Sequence, residues 1–152
     1  MSNLTSLHLA LTSALMAAGR QWRQISEAIT TPSGISGACT APLIFIGRLG
    51  EGVRQNVLAE QIGIEGASLV RLLDQMCRAG LIRREVDPAD RRANMLWYTD
   101  AGRALAEKIE ADLIQLRASV FRDISKEDVE ATLRVLAAVG DAAHAVSAPA
   151  RP

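Results

Sequence analysis

The sequence is poor in aromatic residues and in cysteine. Aromatic residues make up 3% of the 152 residues, although 49% of the chain is apolar. The core must therefore be built from Leu, Ile, Val and Ala. Because runs of β-branched and aromatic residues are scarce, this composition favours helices over a sandwich of sheets. A chain of this length suits a single domain with a substantial core.

The remaining absences exclude whole classes of protein. Cys39 and Cys77 lie too far apart to predict a disulfide framework or a zinc site, and we expect no cofactor. No phosphate-binding glycine loop or nucleophile elbow is present, so we expect no enzyme. The start of the sequence does not have a signal-peptide pattern, and no stretch is long and apolar enough to cross a bilayer. The expectation is a cytoplasmic protein without a membrane partner.

The overall charge does not point to nucleic acid. Lys and Arg number 17, and Asp and Glu also number 17. A basic excess is the usual electrostatic footprint of a DNA-binding domain. Any DNA-binding surface must therefore be local, and the one basic cluster of the middle segment is Arg83, Arg84, Arg91 and Arg92.

The chain is organised around residues 54–98, which predict two short helices joined by a tight turn. In each helix the apolar residues recur at helical spacing and a glycine follows: Val57, Leu58, Ala59 and Ile62 before Gly63, then Leu69, Leu72, Leu73 and Met76 before Gly80. Such a pair is a helix-turn-helix, whose second helix can lie in a DNA major groove.

The outward face of that second helix, the recognition helix, carries Ser68, Arg71, Gln75 and Arg78. The planar head of Arg71 can grip the edge of guanine with two hydrogen bonds. A solvated surface arginine has the same sequence signature, and the helix alone does not separate the two interpretations.

A β-hairpin is predicted next, with strands at 82–86 and 95–98. Its loop, DPADRRAN, has turn-forming residues and too many charges for a core. A hairpin beside a helix-turn-helix is a wing, and Arg91 and Arg92 at its tip can enter the narrow minor groove. Asp90 would repel phosphate, so we expect it to pair with a nearby arginine and to hold the shape of the wing.

These segments resemble the MarR/SlyA family of bacterial transcription regulators. The matching features are LAEQIGIE, SLVRLLDQM, AGLI, DPADRR and YTDAG, and the resemblance is strongest over residues 54–103. It implies a homodimer on pseudo-palindromic promoter DNA, with Ser68 and Arg71 on the recognition helix and Arg91 and Arg92 on the wing. Two features depart from the family pattern: the second wing strand has MLWYT, and basic residues are sparser around the wing.

Amphipathic helices are predicted on both sides of this unit. Residues 4–29 carry an apolar stripe that ends before TTPSG, and a helix from Pro42 to Leu49 follows. Thr99 predicts the cap of a helix from Asp100 to about Phe121, and Ser125 that of a last helix. The fold class is thus mainly α with a small β-wing. We expect one domain over 1–152, with a DNA-binding unit at about 52–98 and dimerisation helices at about 4–30 and 100–146. The outer helices can pack within one subunit or join a second copy, and we favour the symmetric homodimer.

The predicted function is a sequence-specific DNA-binding regulator, most simply a repressor. Two recognition helices related by a two-fold axis would enter successive major grooves about 34 Å apart. We expect Asn56, Ser68 and Arg84 to contact phosphate, while Arg71 and the wing arginines carry sequence or shape information.

Three further possibilities remain open from the sequence. The resemblance implies a small phenolic or aromatic-acid effector, for which Trp22, Arg23 and Arg48 are candidate contacts, although Trp22 also suits an ordinary core. A thiol-based redox switch would use Cys39 or Cys77. The balanced charge also suits a winged helix that docks on another protein, and salt-dependent binding to random DNA would separate the two.

Overall fold

The computed structural model describes residues 3–30 and 35–147. Within these ranges the fold is mainly helical with one small sheet, as predicted. The elements in chain order are α1 (Asn3–Thr30), α2 (Gly37–Leu49), β1 (Val53–Arg54), α3 (Gln55–Ile62), α4 (Gly66–Arg78), β2 (Ile82–Asp87), β3 (Asp90–Tyr98), α5 (Asp100–Val120) and α6 (Lys126–Ser147). No helix in the described ranges combines the length and apolar character needed to span a membrane.

The chain divides into two compact units, residues 1–116 and 117–152. The hydrophobic core lies in the first unit and is formed by α2, α3, α4, the hairpin and α5. Its fully buried aliphatic side chains are Leu43, Ile46, Leu58, Leu69, Leu73, Leu96 and Ile109. In the second unit, α6 begins at a cap in which the Ser125 hydroxyl accepts a hydrogen bond from the Asp128 N–H at 3.1 Å, as the sequence predicted.

The helix-turn-helix follows the predicted pattern. Gly63 ends α3 in the left-handed conformation, with φ of 75°, and Gly80 follows α4 with φ of 69°. A residue with a β-carbon rarely adopts such angles, so both chain reversals depend on glycine. Ile64 is half-buried against the core between α3 and α4 and fixes the turn.

Helix α2 begins earlier than predicted, at Gly37 instead of Pro42. Proline has no N–H to donate to the carbonyl four residues back, which argued against a helix continuing through it. Burial of Cys39 and Leu43 on the same side of the helix compensates for that missing bond. Tertiary packing therefore decides the start of α2.

The sheet has three antiparallel strands in the order β1–β3–β2, one more than predicted. β1 has only two residues and pairs Val53 with Leu96, so it leaves no alternating pattern in the sequence. The loop of the wing is also tighter than predicted. Asp87 pairs with Asp90 across a two-residue turn, and the register then shifts so that Val86 pairs with Asn94. Residues 91–93 therefore form a bulge beside the tip.

Helix α5 is fixed to the hairpin at its first turn. The Thr99 hydroxyl accepts a hydrogen bond from the Gly102 N–H at 3.0 Å and donates one to the Gly80 carbonyl at 2.6 Å. A β-carbon at Gly102 would lie 1.7 Å from the Leu81 carbonyl oxygen. The predicted cap is thus present, and the close approach requires glycine at position 102.

Candidate nucleic-acid interface

The outward face of α4 forms an open groove. Ser68, Arg71, Gln75 and Arg78 are all exposed on it. Together with Ala38, Leu72 and Asp74 they line a depression of about 550 Å³, which we call the helix groove. The structure therefore brings the two predicted residues of the recognition helix, Ser68 and Arg71, to one accessible surface.

The remaining predicted phosphate contacts differ in their surroundings. Asn56 is exposed in the first turn of α3. Arg84 has partners within the protein: its Nη1 lies 2.5 Å from Asp74 Oδ1, and its Nη2 donates to the Val70 carbonyl at 3.2 Å. The Arg84 side chain is 25% exposed. Arg84 thus connects β2 to α4, a contact that the sequence analysis missed because ten residues separate the partners.

The wing carries Arg91 and Arg92 in its bulge, and both are exposed. Asp90 Oδ1 accepts a hydrogen bond from the Arg92 backbone N–H at 3.0 Å, so Asp90 shapes the bulge through the backbone. Asp87, at the other end of the same turn, does form an ion pair with an arginine: its Oδ2 lies 2.7 Å from Arg54 Nε. The ion pair with an arginine that we expected for Asp90 is thus found at Asp87, three residues earlier.

Asp87 is held in its ionised form. Its Oδ1 accepts a hydrogen bond from the Ala89 N–H at 2.8 Å, and the carboxylate pairs with Arg54. These two contacts, the backbone bond first, lower the pKa of Asp87 below its ordinary value. The turn at the wing tip is consequently fastened to β1.

The base of the wing is fastened to α2 by Tyr98. The Tyr98 hydroxyl donates to the Leu43 carbonyl and accepts from the Gly47 N–H at 2.9 Å. These two backbone groups are partners in a regular α-helix, so the hydroxyl stands within the hydrogen-bond ladder of α2. Burial raises the pKa of Tyr98 to about 12.

Next to Tyr98 is a cleft between α2 and α5 of about 600 Å³, which we call the α2–α5 cleft. Its polar lining is dominated by two ion pairs. Arg48 binds both carboxylate oxygens of Glu110, with Nε–Oε1 at 2.5 Å and Nη2–Oε2 at 2.9 Å. Arg103 pairs with Glu51 at the other side. The Arg48–Glu110 contact, largest among the causes, raises the pKa of Arg48.

The predicted effector residues are only partly brought together. Arg48 lines the α2–α5 cleft, whereas Trp22 and Arg23 lie on α1. Trp22 is half-buried and Arg23 is exposed. Of the two cysteines, Cys39 is fully buried and Cys77 is half-buried. Over the described ranges, no three His, Cys, Asp or Glu side chains are placed to hold a metal ion.

Known transcription regulators share this architecture. Residues 33–93 match the model of the MarR family. A solved MarR family transcription regulator shares 23% identity and a TM-score of 0.83, over 97% of this chain and 99% of its own. The transcriptional regulator MOSR of M. tuberculosis, solved in complex with DNA, shares 28% identity and a TM-score of 0.73, over 90% and 98%. CouR from Rhodococcus jostii RHA1, bound to p-coumaroyl-CoA, shares 24% identity and a TM-score of 0.76, over 85% and 90%.

The matched segment contains α2, α3, α4 and the tip of the wing. Its family match, and the fold shared by most of the chain, confirm the resemblance that the sequence predicted. The chain is similar to the MarR family over residues 33–93 and has the winged helix-turn-helix fold of solved MarR family transcription regulators.

Proposed function

We propose that the protein binds operator DNA sequence-specifically as a homodimer and regulates transcription. The observation that carries the proposal is the joint exposure of Ser68 and Arg71 on α4 and of Arg91 and Arg92 on the wing of the same module. A helix in the major groove and a hairpin at the adjacent minor groove use these two surfaces. The DNA complex of MOSR supports the same use of the fold here.

The proposed roles follow from position. Arg71 donates to a base edge in the major groove, and Ser68 and Asn56 hold the phosphates on either side. Arg91 and Arg92 enter the minor groove from the bulge of the wing. In this assignment the DNA-binding unit is residues 52–98, and repression follows because the bound dimer covers the promoter surface that other proteins need.

The homodimer is supported by apolar surface on the outer helices. Leu4, Leu7 and Leu11 of α1 are 61%, 58% and 46% exposed, and Leu133 of α6 is 59% exposed. Leu4, Leu7 and Leu11 lie on one face of α1, and a contiguous exposed apolar patch of this kind marks an interaction site. We assign residues 4–30 and 100–146 to dimerisation, which places two recognition helices on one duplex.

A small-molecule effector is proposed for the α2–α5 cleft. CouR carries an acyl-CoA with a phenolic group, which supports a phenolic ligand for this chain. Arg48 is bound to Glu110, so a carboxylate ligand must compete with an existing ion pair. A neutral phenol does not have to displace Glu110 from Arg48, and we therefore favour a phenol over an aromatic acid. Thermal unfolding with phenol and with benzoate tests the preference.

The balanced charge favours one second candidate, a winged helix that docks on another protein. Binding to random duplex DNA over a series of salt concentrations separates the two functions. DNA binding requires an affinity that falls steeply as salt rises, because bound counterions are released. A protein-docking module would show little binding to DNA at any salt concentration.

The assignment of Arg71 is tested on an operator selected from random or genomic duplexes. Arg71→Ala should weaken operator binding by about 1–3 kcal/mol and relax the preference at one base position. Arg78→Ala, at an exposed arginine of the same groove, is the matched control for charge, and it should leave the base preference unchanged. Unchanged operator affinity and base preference in Arg71→Ala would show that another residue reads the DNA.

A further inference from the structure

The helix groove contains one carboxylate among its DNA-facing residues. Asp74 lies in the same depression as Ser68 and Arg71, and its side chain is 41% exposed. An acid at this position would repel the phosphates of a duplex seated in the groove. DNA binding in this groove therefore requires a partner cation that neutralises the Asp74 carboxylate.

Arg84 is that partner, and its contacts reach beyond the carboxylate. One guanidinium nitrogen lies 2.5 Å from Asp74 Oδ1 and another donates to the Val70 carbonyl at 3.2 Å. The two acceptors lie one helical turn apart on α4. A planar guanidinium holds two such acceptors in one fixed arrangement, which the point charge of a lysine does not.

The other end of Arg84 is equally fixed. Its backbone lies in β2, where residue 84 pairs with Leu96 of β3 in the centre of the hairpin. Its Nε is buried and has no hydrogen-bond partner among the described residues. A side chain so placed is oriented toward α4, whereas Arg91 and Arg92 of the wing are exposed.

We propose that Arg84 is a positioning residue, which sets the pose of α4 on the wing and neutralises Asp74 within the helix groove, and that it does not contact phosphate. The inference rests on the proposed DNA-binding function. Its consequence is that Asp74, although acidic, supports DNA binding, because it holds Arg84 and through it the angle at which Arg71 meets the bases.

The direction in which Asp74→Asn changes DNA affinity distinguishes this role from a phosphate contact. If Arg84 bound phosphate, Asp74→Asn would release the arginine, remove a repelling charge and tighten DNA binding. If Arg84 positions α4, Asp74→Asn should weaken operator binding about 3- to 10-fold, which lies in the lower part of the range of coupling between neighbours in one network. Arg84→Ala should lose at least as much, because it also leaves the Asp74 charge in the groove, and the double variant should be no weaker than Arg84→Ala alone.

Specificity supplies the second measurement. Loss of a phosphate contact weakens operator and random DNA alike and flattens the salt dependence by about one unit of slope. Loss of positioning should lower operator affinity more than random-DNA affinity. Arg84→Lys keeps the charge and should still lose specificity. Arg83→Ala is the matched control, because Arg83 pairs with Glu85 on the same hairpin and carries the same charge.

Each result of these experiments either supports or overturns the positioning role of Arg84. Tighter binding by Asp74→Asn, or equal losses on operator and random DNA for Arg84→Ala, would overturn the positioning role. If the unaltered protein bound no DNA, the proposed function would fail. The contact between Arg84 and Asp74 would then be judged by thermal unfolding, where the effects of the two single variants should be non-additive, and additive effects would reject it.

Discussion

Tyr98 gives the most direct test of how the wing is joined to α2. The hydroxyl donates to the Leu43 carbonyl and accepts from the Gly47 N–H, and the residue is 5% exposed. In Tyr98→Phe both backbone groups lose this partner, and each net hydrogen bond contributes about 1 kcal/mol. Since the two groups can bond directly to each other if α2 tightens, we expect a loss of about 1–2 kcal/mol in the free energy of unfolding.

Ionisation of the same group probes the same contact without a mutation. The folded pKa of Tyr98 is about 12, above the ordinary value of 10.0, because burial disfavours the tyrosinate. A raised pKa contributes stability that is fully present below pH 10 and is lost as the pH rises toward 12. This difference corresponds to about 3 kcal/mol.

The assay benefits from the composition, since Tyr98 is the single tyrosine among the 152 residues. The near-ultraviolet absorbance of tyrosinate therefore reports this group alone, while circular dichroism reports the folded fraction. We expect tyrosinate to appear near pH 12, or together with alkaline unfolding. Titration near pH 10 in a protein that is still folded would refute the buried hydroxyl in the α2 ladder.

Three further predictions concern the fold and the assembly. Gly102→Ala should destabilise the protein by about 3 kcal/mol or more in chemical unfolding, because its β-carbon would overlap the Leu81 carbonyl. Gly19→Ala is the control, because the space around that site is open. Equal effects of the two substitutions would contradict the overlap. Asp87 has a lowered pKa, so its contribution to stability is present above the ordinary aspartate pKa and is lost as the pH falls through the folded value. The difference in melting temperature between Asp87→Asn and the unaltered protein should therefore shrink in acid. A difference that stays constant with pH would reject this account. If the proposed homodimer uses α6, Leu133→Glu should shift the protein from dimer to monomer in sedimentation, because Leu133 is 59% exposed on α6. A dimer that persists in this variant would place the interface elsewhere.

The sequence predicted those parts of the fold that local patterns determine. Helical periodicity found α3 and α4, and the left-handed Gly63 and Gly80 ended them as expected. The Thr99 cap and the Ser125 cap were found because their partners lie three residues away. Such features depend on neighbours in the chain, which a pattern can show.

The parts that the sequence did not predict depend on partners far away in the chain. The first turn of α2 exists because Cys39 and Leu43 are buried by other elements, and β1 exists because β3 offers a strand to pair with. For the site, exposure of Ser68 and Arg71 followed from periodicity, but the contact of Arg84 with Asp74 did not. Asp74 is an ordinary surface acid until the hairpin folds back on α4.

The balanced charge of the chain now has a structural explanation that bears on function. Four of the seven acids between Glu51 and Tyr98 are bound by arginines that the sequence alone counts as available. Asp74 pairs with Arg84, Asp87 with Arg54, Glu51 with Arg103 and Glu85 with Arg83. Within each pair the positive and negative charges cancel, so these eight residues contribute little to the electrostatic field that a duplex would meet. Among the described residues, Arg71 and Arg78 in the helix groove and Arg91 and Arg92 on the wing take part in none of these four pairs, so a neutral chain can still expose arginines on both surfaces. A net charge of zero is therefore no argument against DNA binding by this fold.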